Sequence, residues 1–150
     1  MITISDTRTE GTDTSGRAIR ELLDGAGHTT ASHTIVKDDP AAIRRAVEAA
    51  IADPAVQAII TTGGTGVTSR DGTFEVVAGL LQKRLDGFGE LFRMLSWSEI
   101  GSSAMMSRAT AGIAEGTAIF VLPGSEAAVR LAMSRLIVPE LGHVVEQLSR

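Results

Sequence analysis

The feature that most constrains this chain is an abrupt change in composition after residue 60. The largely apolar stretch Val56 to Ile60 passes directly into Thr61-Thr62-Gly63-Gly64-Thr65-Gly66, with Arg70-Asp71-Gly72-Thr73 close behind. The apolar run through Thr62 reads as a central parallel strand, buried on both faces. The three glycines and three threonines in six residues mark a loop. Helical spacing resumes near Thr73, with Val76, Val77, Leu80 and Leu81. A strand, a glycine loop and a helix start, in that order, offer free backbone N–H groups to phosphates. Glycine allows close approach and positive φ there. Asp71 would repel a bare phosphate, but a carboxylate is a hard oxygen ligand for phosphate-bound Mg²⁺.

The remaining chain repeats the strand and helix alternation. Met1 to Ser5 reads as a strand that is short for a central one, followed by a polar loop to Ser15. Asp13 or Thr14 caps a helix whose stripe is Ile19, Leu22, Leu23 and Ala26, with Gly27 at its end. His28 to Val36 reads as a second strand, and Asp39-Pro40 opens a second helix through Ile43, Val47 and Ile51. Asp86 to Glu90 reads as an interruption, followed by a short helix near Leu91 to Leu95 and another over Ser98 to Arg108. Ala109 to Ile113 and Thr117 to Leu122 read as strands around a Glu115-Gly116 turn. Leu122-Pro123-Gly124-Ser125, with Ser125 as candidate N-cap, leads into a last helix, kinked or ended at Pro139. The expectation is one α/β domain over residues 1–150: a three-layer, mainly parallel sheet with helices on both faces.

Composition narrows the function classes. A net charge of −4 lacks the basic footprint of a nucleic-acid binder. The absence of cysteine removes thiol nucleophiles and thiolate metal sites. No leader pattern and no membrane-length apolar run is visible, so neither secretion nor membrane insertion is expected, and a cytoplasmic setting fits. His28, His33 and His143 show no ligand spacing and read as structural or solvent-facing.

In a doubly wound sheet, ligands bind outside the carboxyl ends of the strands. Four loops leave those ends: Ser5-Asp6, Lys37-Asp38-Asp39, Thr61 to Asp71, and Pro123-Gly124-Ser125. Asp38 and Asp71 end adjacent strands and could share one metal–phosphate cluster, although each alone also suits a helix cap. The glycine loop lacks the Gly-Lys-Ser/Thr of a P-loop and the third glycine of a dinucleotide fingerprint. General motif rules therefore leave the nucleotide unnamed.

Several blocks together are more specific. Thr61 to Gly66 with Arg70-Asp71, Thr73 and Glu75 resembles the TTGGTG…RDxTxE motif of the MogA/MoaB family of molybdenum cofactor biosynthesis proteins, which includes the gephyrin G domain. Ser5-Asp6-Thr7, Val36 to Asp39, Gly87 to Arg93, Ser107-Arg108-Ala109 and Leu122 to Ser125 resemble further blocks in the same order. The runs Phe92 to Ser96 and Glu99 to Ser103 lean toward the MoaB branch. Phe74 stands where the motif commonly has proline.

The resemblance implies Mg-ATP-dependent adenylylation of molybdopterin, giving adenylyl-molybdopterin and pyrophosphate. By position, Asp38 and Asp71 match the functional acids and would hold Mg²⁺. Thr62, Gly63, Gly64, Thr65 and Gly66 would cradle phosphate, while Ser5, Asp6, Pro123, Gly124 and Ser125 would line the pterin or nucleotide pocket. It also implies a homo-oligomer, trimer or hexamer, with Phe88 to Met94 and Met105-Met106 as candidate contacts, and association with other proteins of the pathway. Two alternatives are a non-catalytic molybdopterin-binding or carrier protein, and a hydrolase of the CinA type. The latter usually has Leu-Gly-Pro where this chain has Thr65-Gly66-Val67.

Overall fold

The computed structural model describes residues 1–150. Six strands form one sheet in the order β2-β1-β3-β6-β5-β4. They are β1 (Ile2–Ile4), β2 (Thr34–Val36), β3 (Ala58–Thr62), β4 (Lys83–Arg84), β5 (Thr110–Ala114) and β6 (Thr117–Leu122). The first four in spatial order run parallel; β5 pairs antiparallel with β6, and β4 antiparallel with β5. The helices are α1 (Thr14–Gly25), α2 (Pro40–Ala52), α3 (Thr73–Ala78), α4 (Asp86–Ile100), α5 (Glu126–Ala132) and α6 (Val138–Leu148).

The pleat sorts the side chains into two cores. Ile59, Ile119 and Val121 pack with Ile2, Ile4, Ile43, Val47 and Val77 beneath α2 and α3. Their sequence neighbours Ile60, Phe120 and Leu122 point the other way and meet Ile19, Phe92, Val129 and Met133 beneath α1, α4 and α5. With so few aromatics, the second core turns on Phe88, whose ring meets Phe120 edge-on at 5.4 Å and 72°.

Local signals for the helix starts hold. Asp13, Asp39 and Ser125 cap α1, α2 and α5, accepting from the amides of Gly16, Ala42 and Ala128. Pro139 does not end the last helix. It enters the first turn of α6 after a π turn over Met133–Ile137, a widening that accommodates the missing N–H and the ring.

Three expectations are corrected. Asp86 to Glu90 does not interrupt a helix but begins α4, because burial of Phe88 and Phe92 outweighs two nearby glycines. The helix over Ser98 to Arg108 is instead the end of α4 followed by a 3-10 turn at Gly101–Met106. The second strand begins at Thr34 rather than His28. Ile2 of β1 pairs with Thr34, the first residue of the strand.

Candidate functional site

The carboxyl ends of β1, β3 and β6 open into a polar cleft of about 440 Å³. Ser5, Asp6, Asp38, Thr62, Gly63, Gly64, Gly124 and Ser125 line it, so eight of the sequence-derived candidates meet there. Thr65, Gly66, Asp71 and Pro123 lie off its wall. A larger cavity of about 790 Å³ sits at the opposite, amino ends of the strands and is mostly apolar. The polar cleft is where ligands bind in this class of sheet.

Gly63 and Gly64 both carry positive φ, at 99° and 64°. A Cβ on Gly63 would fall 2.2 Å from the Ile4 carbonyl oxygen, and one on Gly64 would fall 2.2 Å from Thr73 Oγ1 and 3.0 Å from Asp38 Oδ1. The main chain therefore crosses the tip of β1 where no side chain fits. Thr62 Oγ1 donates to the Pro123 carbonyl at 2.8 Å, and Ser15 Oγ donates to that of Gly124 at 2.7 Å, which ties the loop after β6 to the cleft. The amides of the glycine loop are not equivalent. Gly63 N–H donates to the Leu122 carbonyl at 3.1 Å, continuing the ladder, and Gly66 N–H bonds the Asp71 carboxylate. Gly64 and Thr65 remain as the donors free of those bonds.

The acids divide into two environments. Asp38 presents a buried Oδ1 with no hydrogen-bond partner beside the Gly64 crossing. Burial pushes its carboxyl above the usual carboxylate range; the Gly72 amide opposes this, while Asp71 and Asp6 reinforce it. Asp6 accepts from the Asp38 amide at 3.2 Å and pairs with Arg70 at 2.7 Å, so it braces the same loop. Asp71 instead closes its own loop, accepting from Thr68 Oγ1 at 2.6 Å and from the Thr68 amide at 2.9 Å. Those bonds from Thr68 hold its carboxyl below the usual range, with Gly66 and Arg108 helping. No three histidine or acidic side chains converge as a metal cage. A site with one or two carboxylates suits Mg²⁺ bound chiefly through phosphate and water.

Arg108 is not among the residues that the sequence assigns to the site, and its position shows more. Its guanidinium donates to the carbonyls of Thr65 at 3.1 Å, Gly66 at 2.6 Å and Asp71 at 3.3 Å, pairs with Glu75, and lies 5.3 Å from the Phe74 ring centre. The Ser107-Arg108-Ala109 block was the one available signal. Thr3, Asp13 and Ser15 also line the cleft. Asp13 is fully buried, accepts from Thr3 Oγ1 at 2.6 Å, and lies 3.2 Å from His33 Nε2.

Comparison with known proteins shows the family. A family profile described as "Probable molybdopterin binding domain" matches residues 1–143. Molybdenum cofactor biosynthesis protein B of Bacillus anthracis is 55% identical over 151 residues, spanning 100% of this chain and 89% of that protein. A crystal structure of a molybdenum cofactor biosynthesis protein B superposes with a TM-score of 0.97 at 55% identity, covering 99% of this chain and 93% of the other. The molybdopterin biosynthesis enzyme MoaB of Thermus thermophilus gives a TM-score of 0.87 at 32% identity, with coverage of 99% and 93%. By profile, sequence and fold alike, the chain belongs to the MogA/MoaB family of molybdenum cofactor biosynthesis proteins.

Proposed function

We propose that this protein acts in molybdenum cofactor biosynthesis by binding molybdopterin and Mg-ATP in the polar cleft and catalysing adenylyl transfer. The observation that carries the reading is the unpartnered, buried Oδ1 of Asp38 beside the Gly63-Gly64 crossing, at the mouth of a cleft lined almost wholly by polar groups. In the reaction, an oxygen of the molybdopterin phosphate forms a bond to the α-phosphorus of ATP. The bond from that phosphorus to the β-bridging oxygen breaks, and pyrophosphate leaves with its electron pair. The attacking phosphate is already anionic, so no strong base is required. The protein's task is to hold two polyanions in line and to neutralise their repulsion. In this reading the Gly64 amide, on the cleft wall, donates to a phosphate oxygen, the Thr65 amide behind it supports the same loop, and Ser5, Ser125 and Thr62 orient the organic partner.

Mg²⁺ supplies charge neutralisation when bound, and Asp38 would hold it through the free Oδ1. Asp71 lies off the cleft wall with its Oδ2 taken by Thr68, so it would offer Mg²⁺ only its Oδ1. That engagement favours a second reading, in which the protein holds molybdopterin without turning it over. Pyrophosphate release from Mg-ATP, dependent on molybdopterin and lost in Asp38→Asn, supports transfer. Pterin binding by calorimetry with no adenylylated product would establish the carrier instead.

The family resemblance also leads us to propose a homo-oligomer. Of the contacts expected from sequence, Phe88 and Phe92 belong to the monomer core, while Leu91, Met94, Met105 and Met106 are exposed beside Trp97 and Ile100. An apolar patch of this kind marks an interaction surface. No helix is long and apolar enough to cross a membrane. Partnership with other proteins of the pathway is part of the same proposal.

A further inference from the structure

The polar cleft carries its charges unevenly. Of the residues that line it, Asp6, Asp13 and Asp38 are acids, and Arg8 is the one base. Two of the acids are already engaged. Asp6 pairs with Arg70 at 2.7 Å, while Asp13 caps α1 and accepts from Thr3 Oγ1 at 2.6 Å. The neighbouring guanidiniums are engaged as well, Arg70 by that pair and Arg108 by the outer carbonyls of the glycine loop. Arg8 is the exception: its side chain bonds neutral oxygens only.

The local chain fixes where that guanidinium sits. Ser5 Oγ accepts from the amides of Thr7 at 3.2 Å and Arg8 at 3.0 Å, turning the chain just past the end of β1. Thr9 N–H donates to Thr12 Oγ1 at 2.9 Å, and the Asp13 amide donates to the Thr9 carbonyl at 2.9 Å, which closes the loop ahead of α1. Arg8 Nη1 then donates to the Thr12 carbonyl at 3.0 Å and to Thr14 Oγ1 at 3.1 Å. Both Nη1 hydrogens are thereby used. Nε–H and the adjacent Nη2–H lie on the other edge of the planar group and have no protein acceptor. Those two form the parallel fork that matches two oxygens of one anion.

Arg8 and the free Asp38 oxygen come from opposite sides of the sheet. Arg8 lies on the connection from β1 into α1, which packs on the face of Phe92 and Val129. Asp38 lies on the connection from β2 into α2, on the face of Ile43 and Val47. Asp38, with the metal it would hold, serves phosphate oxygens on the α2 side. An anion reaching the α1 side meets a wall that contains the fully buried acid Asp13, and there it needs a separate cation. Because Nη1 is already anchored, Arg8 loses less side-chain freedom on binding than an unanchored arginine does.

We propose that the Nε/Nη2 edge of Arg8 binds a phosphate group that carries no metal, on the α1 side of the cleft. The inference rests on reading this cleft as a phosphate site, and it names the residue that grips the half Asp38 does not serve. Two non-bridging phosphoryl oxygens accept in the plane of the guanidinium, as a bidentate pair. The phosphomonoester of the pterin and the polyphosphate of the nucleotide both present that chemistry.

The test titrates the 150-residue chain with inorganic phosphate, and separately with pyrophosphate, in EDTA at constant ionic strength. The Arg8 Nε–H resonance and the heat of binding are followed together. The expected result is a shift of that resonance in the unaltered chain, and an affinity about tenfold or more weaker in Arg8→Gln. Arg8→Lys should recover little, because an ammonium lacks the fork. Binding that leaves the resonance in place overturns the proposal, and so does equal affinity in Arg8→Gln and the parent. Failure of the parent to bind either anion by about 10 mM overturns it too. Calorimetry of Arg8→Gln with Mg-ATP and with molybdopterin identifies the source. A loss for Mg-ATP assigns the fork to the nucleotide, a loss for molybdopterin assigns it to the pterin phosphate, and no loss for either overturns the proposal. None of these readouts needs turnover, so an absence of adenylylated product would sink the proposed reaction and leave the assignment of Arg8 standing.

Discussion

Arg108 Nε donates to the Thr65 carbonyl oxygen at 3.1 Å, across 43 residues of sequence. With the same side chain bonding the Gly66 and Asp71 carbonyls, the outer half of the glycine loop hangs on one guanidinium. The carbonyls turn outward to Arg108, which leaves the Gly64 and Thr65 amides available on the other side of the loop. Arg108→Ala removes charged hydrogen bonds at a site only 25% exposed, and should cost about 2 kcal/mol in urea unfolding. Arg108→Lys should recover little of this, since an ammonium cannot span three carbonyls in a planar fork. For the adenylyl transfer proposed above, KM for ATP should rise several-fold in the same variants; unchanged KM would separate the loop's shape from nucleotide binding.

Three glycines with positive φ separate strain from crowding. Gly27, at 81°, has nothing within 4 Å of an added Cβ, whereas Gly63 and Gly64 meet backbone or side-chain oxygen at 2.2 Å. Gly27→Ala should cost about 1–2 kcal/mol, the left-handed penalty alone. Gly63→Ala should cost well beyond that, because its neighbour is the fixed carbonyl of Ile4. Gly64→Ala meets the movable Thr73 side chain and should fall between. Denaturant midpoints of the three variants check the order, and Gly27→Ala should leave ligand affinity unchanged.

What could be read in advance followed the range of the interaction. The caps at Asp13, Asp39 and Ser125 are made to amides three residues away, so their signal is local and each was legible. The convergence of Ser5, Asp38, Gly63 and Ser125 followed from strand order in a doubly wound sheet. Strand β4 was not legible: Lys83-Arg84 is a two-residue charged edge that exists through pairing with Gly112 and Ile113. The grip of Arg108 on the loop and the direction of the Asp71 carboxylate are likewise tertiary facts. An aspartate two residues before Thr73 suits a loop-closing acceptor or a metal ligand equally well until Thr68 is placed beside it.

Asp38 and Asp71 should respond to pH in opposite senses. The Asp38 carboxyl is raised by burial, so the folded state binds its proton more tightly than the unfolded chain. Its ionisation therefore opposes folding above the raised value, and the penalty disappears as pH falls below the ordinary aspartate range near 4. Asp71 is depressed by the Thr68 bonds and contributes stability above that range, lost as pH falls through its lowered value. Asp38→Asn should be more stable than the parent at neutral pH and converge with it in acid. Asp71→Asn should be less stable at neutral pH and converge likewise. Unfolding midpoints between about pH 3 and 7 decide both. A parallel shift of either curve at every pH would mean that packing, not ionisation, sets the difference.

The exposed face of α4 carries the last prediction. Met94 is 61% exposed, Trp97 63% and Met105 83%, while Phe92 on the opposite side of the helix is 1% exposed. Fold stability therefore rests on the Phe92 side, and the proposed association on the Met94 side. A Met94→Glu, Trp97→Glu double variant should keep its secondary structure and lose less than about 1 kcal/mol as a monomer, since exposed substitutions rarely cost more. Its mass by light scattering should drop to that of one chain, because two carboxylates would be buried unpaired at the contact. A parent that is already monomeric at high micromolar concentration would refute the assembly. A variant that stays oligomeric would move the contact to another face. Phe92→Ala supplies the contrast, with an expected loss of about 3–5 kcal/mol from a core cavity whatever the state of association.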